Sequence, residues 1–257
     1  RYLRQGAAPT ATALAGAGSM TAVSSSMAAS IYDATLAEPN QATGEVSTNE
    51  MRRILEDGSA VVFDGRTALE YSIGHLPGAL NVAPKPGVAM SQYVSDVAEI
   101  ERQVASKATP VVLYCNGPFC GKSRRLGAEL VNAGFTDVRR YQLGSPVWRA
   151  LVGMMAIEPE GVSHILKGDR TAAFIDARTR SEYEAGSLPR ARNVPVGELI
   201  AAKDDGRLPM DDFNTRVVAF GRDGEQAATM AEALVGQGFN NVKYYAGPFT
   251  DLLSRLS

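Results

Sequence analysis

The chain has 257 residues, of which 45% are hydrophobic and 21% are charged, and its formal net charge is −2. This composition is typical of a globular protein with a substantial core and excludes global disorder, while the length allows one large domain or two small ones. The balance of 26 basic and 28 acidic residues predicts no nucleic-acid partner, and the lack of an apolar run of 18 residues predicts no membrane span.

Residues 1–45 form a separate compositional zone, rich in Ala, Ser, Thr and Gly and without a clear period. A basic start at residues 1–4 is followed by a weakly apolar stretch at 7–18 and by small residues at 26–28 that are similar to a signal-peptide cleavage site. Two interpretations stay open, an export signal or a disordered leader. The first implies a periplasmic or exported protein, and the second is compatible with a cytoplasmic one.

Residues 46–156 alternate between helical and strand patterns. Ser47 and Glu50 form a capping box that opens a helix to about Leu55, and Gly58 ends it. Apolar periodicity and turn residues predict the elements that follow: a strand at 60–64, a short helix at 67–72, a helix at 91–106, a strand at 110–114, a helix at 122–132 and a strand at 138–141.

Two of these elements indicate the kind of sheet. The strand at 110–114 is apolar on both faces, which is typical of the centre of a parallel sheet covered by helices. The helix at 91–106 carries its apolar residues on one face, at Tyr93, Val97, Ile100 and Val104. The alternation of strands and helices therefore predicts an α/β fold with a central parallel sheet flanked by helices.

The chain then repeats itself. Residues 62–82 and 174–194 share 11 of 21 positions at a constant offset of 112, and residues 111–115 align with 217–221 at an offset of 106. A repeat of this length is a domain rather than a solenoid unit. The sequence thus predicts two tandem modules at 46–156 and 157–257, behind a leader at 1–45 and joined by a linker near residues 157–160.

Cysteine is scarce and clustered. Cys115 and Cys120 are the two thiols of the chain, and His75 and His164 its two histidines. A disulfide-rich scaffold is therefore excluded. A zinc site would need all four residues to converge from scattered positions, so we expect neither a metal nor a cofactor.

The loop after the strand at 110–114 carries both thiols. In parallel α/β sheets, ligands gather beyond the carboxyl ends of the strands, which is where Cys115 lies. Gly117 and Gly121 allow the loop to turn backbone N–H groups inward, and the N-terminus of the helix that follows adds partial positive charge. Lys122 and Arg124, with Arg125 beside them, add cationic character. This pattern favours a thiolate with a lowered pKa and an anionic substrate.

The motifs around this loop resemble those of a rhodanese-like domain. They are Asp64-Gly65-Arg66, Glu70-Tyr71, residues 74–79 and Asn81-Val82, followed by a strand that ends in Cys115. The resemblance covers residues 46–257 as two tandem modules. It implies an α/β fold with a central parallel sheet in each module. It also implies transfer of a sulfane sulfur, from thiosulfate or another persulfide donor to a thiol or cyanide, through a cysteine persulfide.

The sequence departs from this family in three ways. The common loop ends with Arg at its sixth position, where this chain has Cys120, so the loop resembles a subset with the pattern Cys-x-Gly-Pro-aromatic-Cys. Loss of that Arg puts thiosulfate binding in doubt unless Lys122 or Arg124 compensates. In the second module Gly221 stands at the position of Cys115, so we expect that module to be catalytically silent. Many tandem rhodaneses keep their cysteine in the C-terminal module instead.

The resemblance assigns roles to the loop residues. Cys115 is the expected nucleophile. Cys120 either attacks the persulfide and forms a disulfide with Cys115, or merely occupies the sixth loop position. The expected substrate-binding residues are Asn116, Gly117, Pro118, Phe119, Gly121, Lys122 and Arg124.

Three other functions compete with sulfur transfer. A phosphatase or arsenate reductase of the Cys-x5-Arg type is disfavoured, because Gly121 stands where that signature needs Arg. A non-catalytic sulfur carrier or binding module, and a thiol-redox protein that uses Cys115 and Cys120, stay open as alternatives.

The remaining marked residues are interpreted as structural. Asp64 and Arg66 recur in the module that has no cysteine, which favours a scaffold role. His75 is expected to bond backbone atoms in a turn rather than to act as a general base. Trp148 is expected in the core or at the interface between the modules.

Overall fold

A computed structural model describes residues 30–83 and 95–256 of the chain. The first sheet has five strands: β1 (Gly44–Glu45), β2 (Val61–Asp64), β3 (Leu80–Asn81), β4 (Val111–Tyr114) and β5 (Val138–Tyr141). They lie in the order β1-β5-β4-β2-β3, and all neighbouring pairs are parallel. The helices around this sheet are α1 (Thr48–Asp57), α2 (Ala68–Ile73), α3 (Asp96–Gln103), α4 (Gly121–Asn132) and α5 (Gly144–Val152).

The second sheet repeats this arrangement. Its strands are β6 (Met154–Ile157), β7 (Ala173–Asp176), β8 (Ala191–Asn193), β9 (Val217–Phe220) and β10 (Val242–Tyr245), in the parallel order β6-β10-β9-β7-β8. Its helices are α6 (Pro159–Gly168), α7 (Arg180–Ala185), α8 (Leu199–Asp204), α9 (Gly224–Gly236) and α10 (Phe249–Leu256), with a 3₁₀ turn at Val196–Glu198. The predicted fold of two α/β modules with central parallel sheets is confirmed. Among the described residues, no helix is long and apolar enough to cross a lipid bilayer.

Local sequence signals explain most element boundaries. The capping box of Ser47 and Glu50 opens α1, and Gly58 ends it in the left-handed conformation with φ 65°. The same box recurs with Thr67 at the start of α2 and with Thr179 at the start of α7. Residues 91–94 of the helix predicted at 91–106, including Tyr93, lie outside the described residues, and the described part forms α3 with Ile100 fully buried.

Apolar side chains cover both faces of each sheet. In the first module, one face packs Tyr114 and Trp148 with their neighbours, and the other packs Phe63 and Leu126. The second module has a corresponding cluster on each side of its sheet. Because both faces are buried, the sheets leave their edges and the loops beyond their strand ends free to carry function.

The prediction of a linker near residues 157–160 is wrong. Residues 154–157 form strand β6, which pairs in register with β10 from Met154–Val242 to Ile157–Tyr245, and Pro159 is the first residue of α6. The second sheet thus begins within the segment assigned to the first module. The apolar run is a strand because β10 lies beside it, and proline suits the first turn of a helix, where its missing N–H is not needed.

The end of the predicted leader belongs to the first module. Strand β1 pairs with β5, so the first sheet begins before residue 46. Gln41 accepts a hydrogen bond of 2.9 Å from the buried Arg140, and Tyr32 donates one to the carbonyl of Leu151 at 3.3 Å. Residues 1–29 lie outside the described residues, and the export signal stays a prediction.

The two modules contact each other through α2 and α6 and through backbone pairing. His75 and Ala156 exchange both N–H···O bonds at 2.9 Å, and Glu158 N–H donates to the carbonyl of Ser72 at 2.9 Å. Gly161 lies so close to α2 that a Cβ atom there would sit 2.0 Å from the Ser72 oxygen. These contacts place the carboxyl edge of the first sheet against the second module.

Candidate active site

The structure places both thiols in the short connection between β4 and α4. Cys115 directly follows Tyr114, the last residue of β4, and is almost completely buried. Cys115 and Cys120 form a disulfide with a Cα–Cα separation of 6.4 Å. Ser123 Oγ, in the first turn of α4, lies 3.5 Å from Cys115 Sγ. The loop therefore brings the two sulfur atoms into bonding contact at the start of a helix.

The loop is supported from behind by residues 144 and 145. Ser145 N–H donates to the carbonyl of Cys115 at 3.0 Å. Gly144, with φ 66°, approaches so closely that a Cβ atom there would lie 2.4 Å from the Cys115 oxygen. Within the loop, Gly117 has φ 96°, and its carbonyl accepts the N–H of Cys120 at 3.0 Å. The Cys120 N–H is thus already bonded within the loop and is not available to a bound anion.

Helix α4 begins without a side-chain cap. Its N-cap is Cys120, which makes no capping hydrogen bond, and its first turn holds no acidic residue. The first turn of α4 therefore supplies no carboxylate of its own to neutralise the partial positive charge of the helix N-terminus. Such an environment stabilises a thiolate relative to a thiol and attracts anions.

The predicted cationic residues lie near this helix but make other contacts. Lys122 Nζ is 3.8 Å from Asp96 Oδ2, and Arg124 donates to the carbonyl of Pro39 at 3.2 Å. Arg125 pairs with Glu129 one turn further along the helix. Each of the three cations therefore lies beside a carboxylate of its own, and Arg124 points towards the segment before β1 rather than into the loop.

The other predicted binding residues differ in their surroundings. Asn116 Nδ2 donates to Glu70 Oε1 at 2.6 Å, so its amide ties the loop to α2. Phe119 is fully exposed at the tip of the loop, and Pro118 is half-buried. Gly121 is exposed, and a Cβ atom there would meet no other atom within 4 Å. The structure therefore brings Asn116 to the loop base and leaves Phe119 without packing.

Sequence reasoning missed two residues of this site. Ser123 is a buried hydroxyl one helical turn beyond Cys120, and helical spacing after the loop could have indicated it. Glu70 belongs to the sequence motif at 70–71 and caps α2, but its second oxygen binds Asn116. The contact between Glu70 and Asn116 joins residues far apart in the sequence, so no local sequence pattern could have indicated it.

Comparison with known proteins assigns the family. The family described as Rhodanese-like domain matches the chain twice, at residues 47–151 and 159–254. The chain belongs to the rhodanese-like family.

Curated relatives match this rhodanese-like chain over about the length of one module. A tRNA sulfurtransferase from Thermoplasma acidophilum is 38% identical over 94 residues, covering 36% of this chain and 17% of that protein. A tRNA uridine(34) hydroxylase from Staphylococcus carnosus is 28% identical over 108 residues, covering 42% and 32%. The chain therefore spans less than a third of the length of these relatives.

Solved structures similar to this rhodanese-like chain include two sulfur-transferring enzymes. The crystal structure of a 3-mercaptopyruvate sulfotransferase from Escherichia coli is 20% identical with a TM-score of 0.37, and the match covers 80% of this chain and 98% of that one. A thiosulfate sulfurtransferase from Pseudomonas aeruginosa is 21% identical with a TM-score of 0.35, covering 80% and 43%. The family assignment rests on the two domain matches.

A buried ion pair forms the scaffold beneath the site. Asp64 has no exposed surface, and both its oxygens accept from the Arg66 guanidinium, with Nη2 to Oδ2 at 2.6 Å. Arg66 Nη2 also donates to the carbonyl of Gly74 at 2.6 Å, and Asn81 Nδ2 donates to the carbonyls of Asp64 and Arg66. Because the guanidinium ties the end of β2 to the turn at Gly74, and Asn81 ties β3 to the backbone of the same segment, these residues fix the carboxyl edge of the rhodanese-like sheet.

His75 bonds backbone, as the sequence predicts. Its Nδ1 lies 3.0 Å from the carbonyl of Tyr71, and its ring stacks on the Tyr71 ring at 3.8 Å. Burial lowers the pKa of His75 to about 4, so the imidazole is neutral at pH 7. Its contact of 3.6 Å with Glu158 is therefore not an ion pair. Within the described residues, no group of three or more His, Cys, Asp or Glu side chains is placed to hold a metal ion.

Trp148 is part of the core and touches the start of the second sheet. It is buried and packs edge-to-face against Tyr141, with ring centroids 6.4 Å apart. Its indole N–H donates to the carbonyl of Met154, the first residue of β6, at 3.0 Å. Trp148 therefore serves both of the roles that the sequence indicates, core packing and module contact.

Proposed function

We propose that this protein is a sulfurtransferase in which Cys115 carries the transferred sulfur as a persulfide. The observation that supports this most is the position of the Cys115 sulfur, at the carboxyl end of the central strand and beside the uncapped N-terminus of α4. A thiolate is the nucleophile in such chemistry, and this position favours the thiolate.

The proposed reaction has two steps. The Cys115 thiolate attacks the outer sulfur of thiosulfate, the bond between the two thiosulfate sulfurs breaks, and sulfite leaves with the electron pair. Cys115 then holds a persulfide. In the second step, an acceptor thiolate or cyanide attacks the terminal sulfur, and the Cys115 thiolate leaves. The positive end of α4 stabilises the anionic sulfur in both steps.

The choice of donor depends on the sixth loop position, because Cys120 stands where an arginine would clamp thiosulfate. Lys122 is the nearest cation on α4 that could attract a dianion, and its pairing with Asp96 is long at 3.8 Å. A persulfide donor, which needs no such clamp, fits the loop equally well. We also propose a small thiol rather than tRNA as acceptor, since the chain carries 26 basic and 28 acidic residues.

The second module is proposed to be silent. Gly221 stands at the nucleophile position, and a Cβ atom there would lie 2.9 Å from the backbone nitrogen of Ala227. Gln226 fills the loop instead, because its Oε1 accepts the N–H of Arg222 at 2.7 Å. This module has neither the thiol nor the open loop that sulfur transfer requires.

The disulfide favours a second candidate, a thiol-redox function. If Cys120 attacks the inner sulfur of the Cys115 persulfide, the Cys115–Cys120 bond forms and the terminal sulfur leaves as hydrosulfide. An external dithiol must then reduce the disulfide before the next cycle. The same chemistry, without any persulfide, would make the pair a simple dithiol–disulfide couple.

Steady-state assays on pre-reduced protein separate these functions. For a sulfurtransferase, Cys115→Ser lowers turnover with thiosulfate and a thiol acceptor by about a thousandfold or more. The matched variant Cys120→Ser keeps at least part of the turnover, because it retains the nucleophile. Equal and complete loss in both variants, together with dithiol-dependent turnover in the wild type, would contradict sulfur transfer and favour the redox couple.

A further inference from the structure

A cleft of about 260 Å³ runs between the two modules beside the active loop. The first module lines it with Asn116 and Ser145, which flank Cys115 in the structure, and with Glu70. The second module lines it with residues that include Lys243 and Arg216. The cleft thus joins the sulfur-bearing loop to a second set of charged side chains that the proposed reaction does not use.

Lys243 is buried in this cleft without an acidic partner. It lies on β10 and is 5% exposed. Its Nζ donates to Asn241 Oδ1 at 2.9 Å, and no carboxylate of the described residues forms an ion pair with it. The Lys243 side chain also rests on the first module, since a Cβ atom on Gly74 would meet Lys243 Cε at 3.0 Å. An ammonium has three donors, so a buried one with a single neutral acceptor is under-coordinated.

Arginines surround the lysine. Arg149 of α5 lines the cleft at its exposed side, and its side chain forms no ion pair or hydrogen bond with the described residues. Arg216 binds Asp169 at 2.7 Å through Nη1, but its buried Nε has no partner among the described residues. Arg66 also lines the cleft, although Asp64 neutralises it. The two unused donors of Lys243, the Nε of Arg216 and the guanidinium of Arg149 therefore line one cleft, and no carboxylate of the described residues is paired with any of these donors.

We propose that this cleft binds the oxyanion end of the sulfur acceptor, a small thiol that carries a carboxylate, sulfonate or phosphate group. Lys243, Arg149 and Arg216 hold the oxyanion, and the thiol end extends towards the Cys115 loop along Asn116 and Ser145. Glu70, ionised at the loop end and bonded to Asn116, repels the anion from that end and orients the molecule. This substrate class rests on the proposed sulfurtransferase function, whereas the oxyanion site itself does not.

The site has a characteristic pH dependence. Burial, reinforced by Arg216, Arg149 and Arg66, lowers the pKa of Lys243 to about 7. A bound anion favours the ammonium, so affinity is highest below pH 7 and falls as pH rises above it. Burial opposes ionisation of Glu70, but hydrogen bonds from Asn116 and Thr67 outweigh it and lower the pKa of that carboxyl. Glu70 therefore keeps its charge over this range.

Calorimetric titration with inorganic sulfate tests the site without any turnover. Sulfate is fully ionised between pH 6 and pH 8.5, and chloride is used to hold the ionic strength constant. We expect wild-type protein to bind sulfate more tightly at pH 6 than at pH 8.5. Lys243→Met should weaken binding by about tenfold or more and remove the pH dependence. Lys167→Gln, which removes an exposed lysine on α6, is the matched control and should bind as the wild type does.

Methionine nearly conserves the volume of lysine, so the fold is expected to hold, and the melting temperature checks this. Wild-type protein that binds no sulfate, or a folded Lys243→Met variant that binds it equally well, would overturn the oxyanion site. This outcome does not depend on whether Cys115 transfers sulfur.

The acceptor role is tested by a pair of thiols with matched length. Lys243→Met should raise the KM for 3-mercaptopropionate by about tenfold and leave the KM for the neutral 3-mercapto-1-propanol unchanged. Mercaptoethanesulfonate in place of the propionate distinguishes a sulfonate end from a carboxylate end. An equal change of KM for the charged and the neutral thiol would contradict recognition of the acceptor by its oxyanion, even if sulfate binds.

Discussion

The two modules end their central strands in different ways. After β4, Cys115 is followed by helix α4, whose N-terminus has no side-chain cap. After β9, Gly221 is followed by helix α9, whose N-cap Asp223 accepts the N–H of Gln226 at 2.9 Å. One module leaves the positive end of a helix open beside a thiol, and the other fills it with its own carboxylate. The modules thus share a fold and differ in this loop, on which the proposed sulfur transfer depends.

Beneath the loops the modules share one scaffold. The buried pair of Asp176 and Arg178 reproduces that of Asp64 and Arg66, including a 2.7 Å bond from Arg178 Nη2 to the carbonyl of Gly186. Since this network is complete in a module without a cysteine, it cannot be explained by catalysis. The structure thereby supports the scaffold role that the sequence predicts.

The hydroxyl that donates to the buried aspartate comes from a different residue in each module. In the first module, Tyr114 donates to Asp64 Oδ2 at 2.6 Å. In the second, Phe220 replaces this tyrosine, and Ser187 donates to Asp176 Oδ2 at 2.6 Å instead. Ser187 occupies the repeat position of His75. Each buried aspartate therefore keeps one hydroxyl donor besides its arginine.

The largest expected effect tests whether the scaffold is equivalent in both modules. Arg66→Met and Arg178→Met each leave a fully buried aspartate without its partner, so each should lower the free energy of unfolding by about 3–5 kcal/mol. Chemical denaturation measures the loss. Arg180→Met, at an exposed arginine that pairs with Glu184, is the control and should change stability by less than about 0.5 kcal/mol. A large loss of stability from one of these two substitutions and none from the other would show that the buried ion pairs of the two modules are not equivalent.

A smaller change in stability is expected when the hydroxyl donor to Asp64 is replaced by the one that the second module uses. Tyr114→Phe removes the donor to Asp64 and the acceptor of the Leu76 N–H, and should cost about 1–3 kcal/mol of stability. His75→Ser introduces the residue that the second module uses. In a double-mutant cycle, His75→Ser should therefore be less harmful in the Tyr114→Phe background than alone, by about 1 kcal/mol. Strict additivity of the two changes would show that the serine does not replace the tyrosine hydroxyl.

The smallest effect concerns the open helix end. Cys120→Asp gives α4 the carboxylate cap of α9, whereas Cys120→Asn gives it a neutral cap of the same shape, and both remove the disulfide. Sulfur loading of Cys115 from thiosulfate, measured in single-turnover experiments, should be about tenfold slower in the Asp variant than in the Asn variant. The reason is that the carboxylate repels the anionic donor and disfavours the thiolate. Equal rates would mean that the open N-terminus has no electrostatic role.

Most of the fold could be predicted from the sequence, because the signals that define its helices and strands are local or occur in both modules. The capping boxes at Ser47 and Thr67 and the shared motifs of the two modules identify their elements directly. Strand β6 was missed because four apolar residues before Glu158 and Pro159 have no strand period of their own, and only pairing with β10 makes them a strand. The two-residue strand β1 was missed for the same reason, since only its pairing with β5 makes it a strand.

The site residues likewise divide into those with a local sequence signal and those without one. Cys115 and its loop are visible in the sequence because strand, glycines and helix are contiguous there. Lys243 and Arg149 are separated from Cys115 by other elements and meet the cleft only after the two modules have packed together. No spacing rule connects such residues, so the charge pattern of the cleft could not be predicted.

Mass spectrometry of the loop peptide, after reduced protein has been incubated with thiosulfate, tests the Cys115 persulfide most directly. We expect a gain of about 32 Da, the mass of one sulfur atom, on Cys115 in the wild type and in Cys120→Ser, and no gain in Cys115→Ser. Sulfur found on Cys120 alone, or no added sulfur on a reduced and folded protein with either thiosulfate or a persulfide donor, would contradict a Cys115 persulfide.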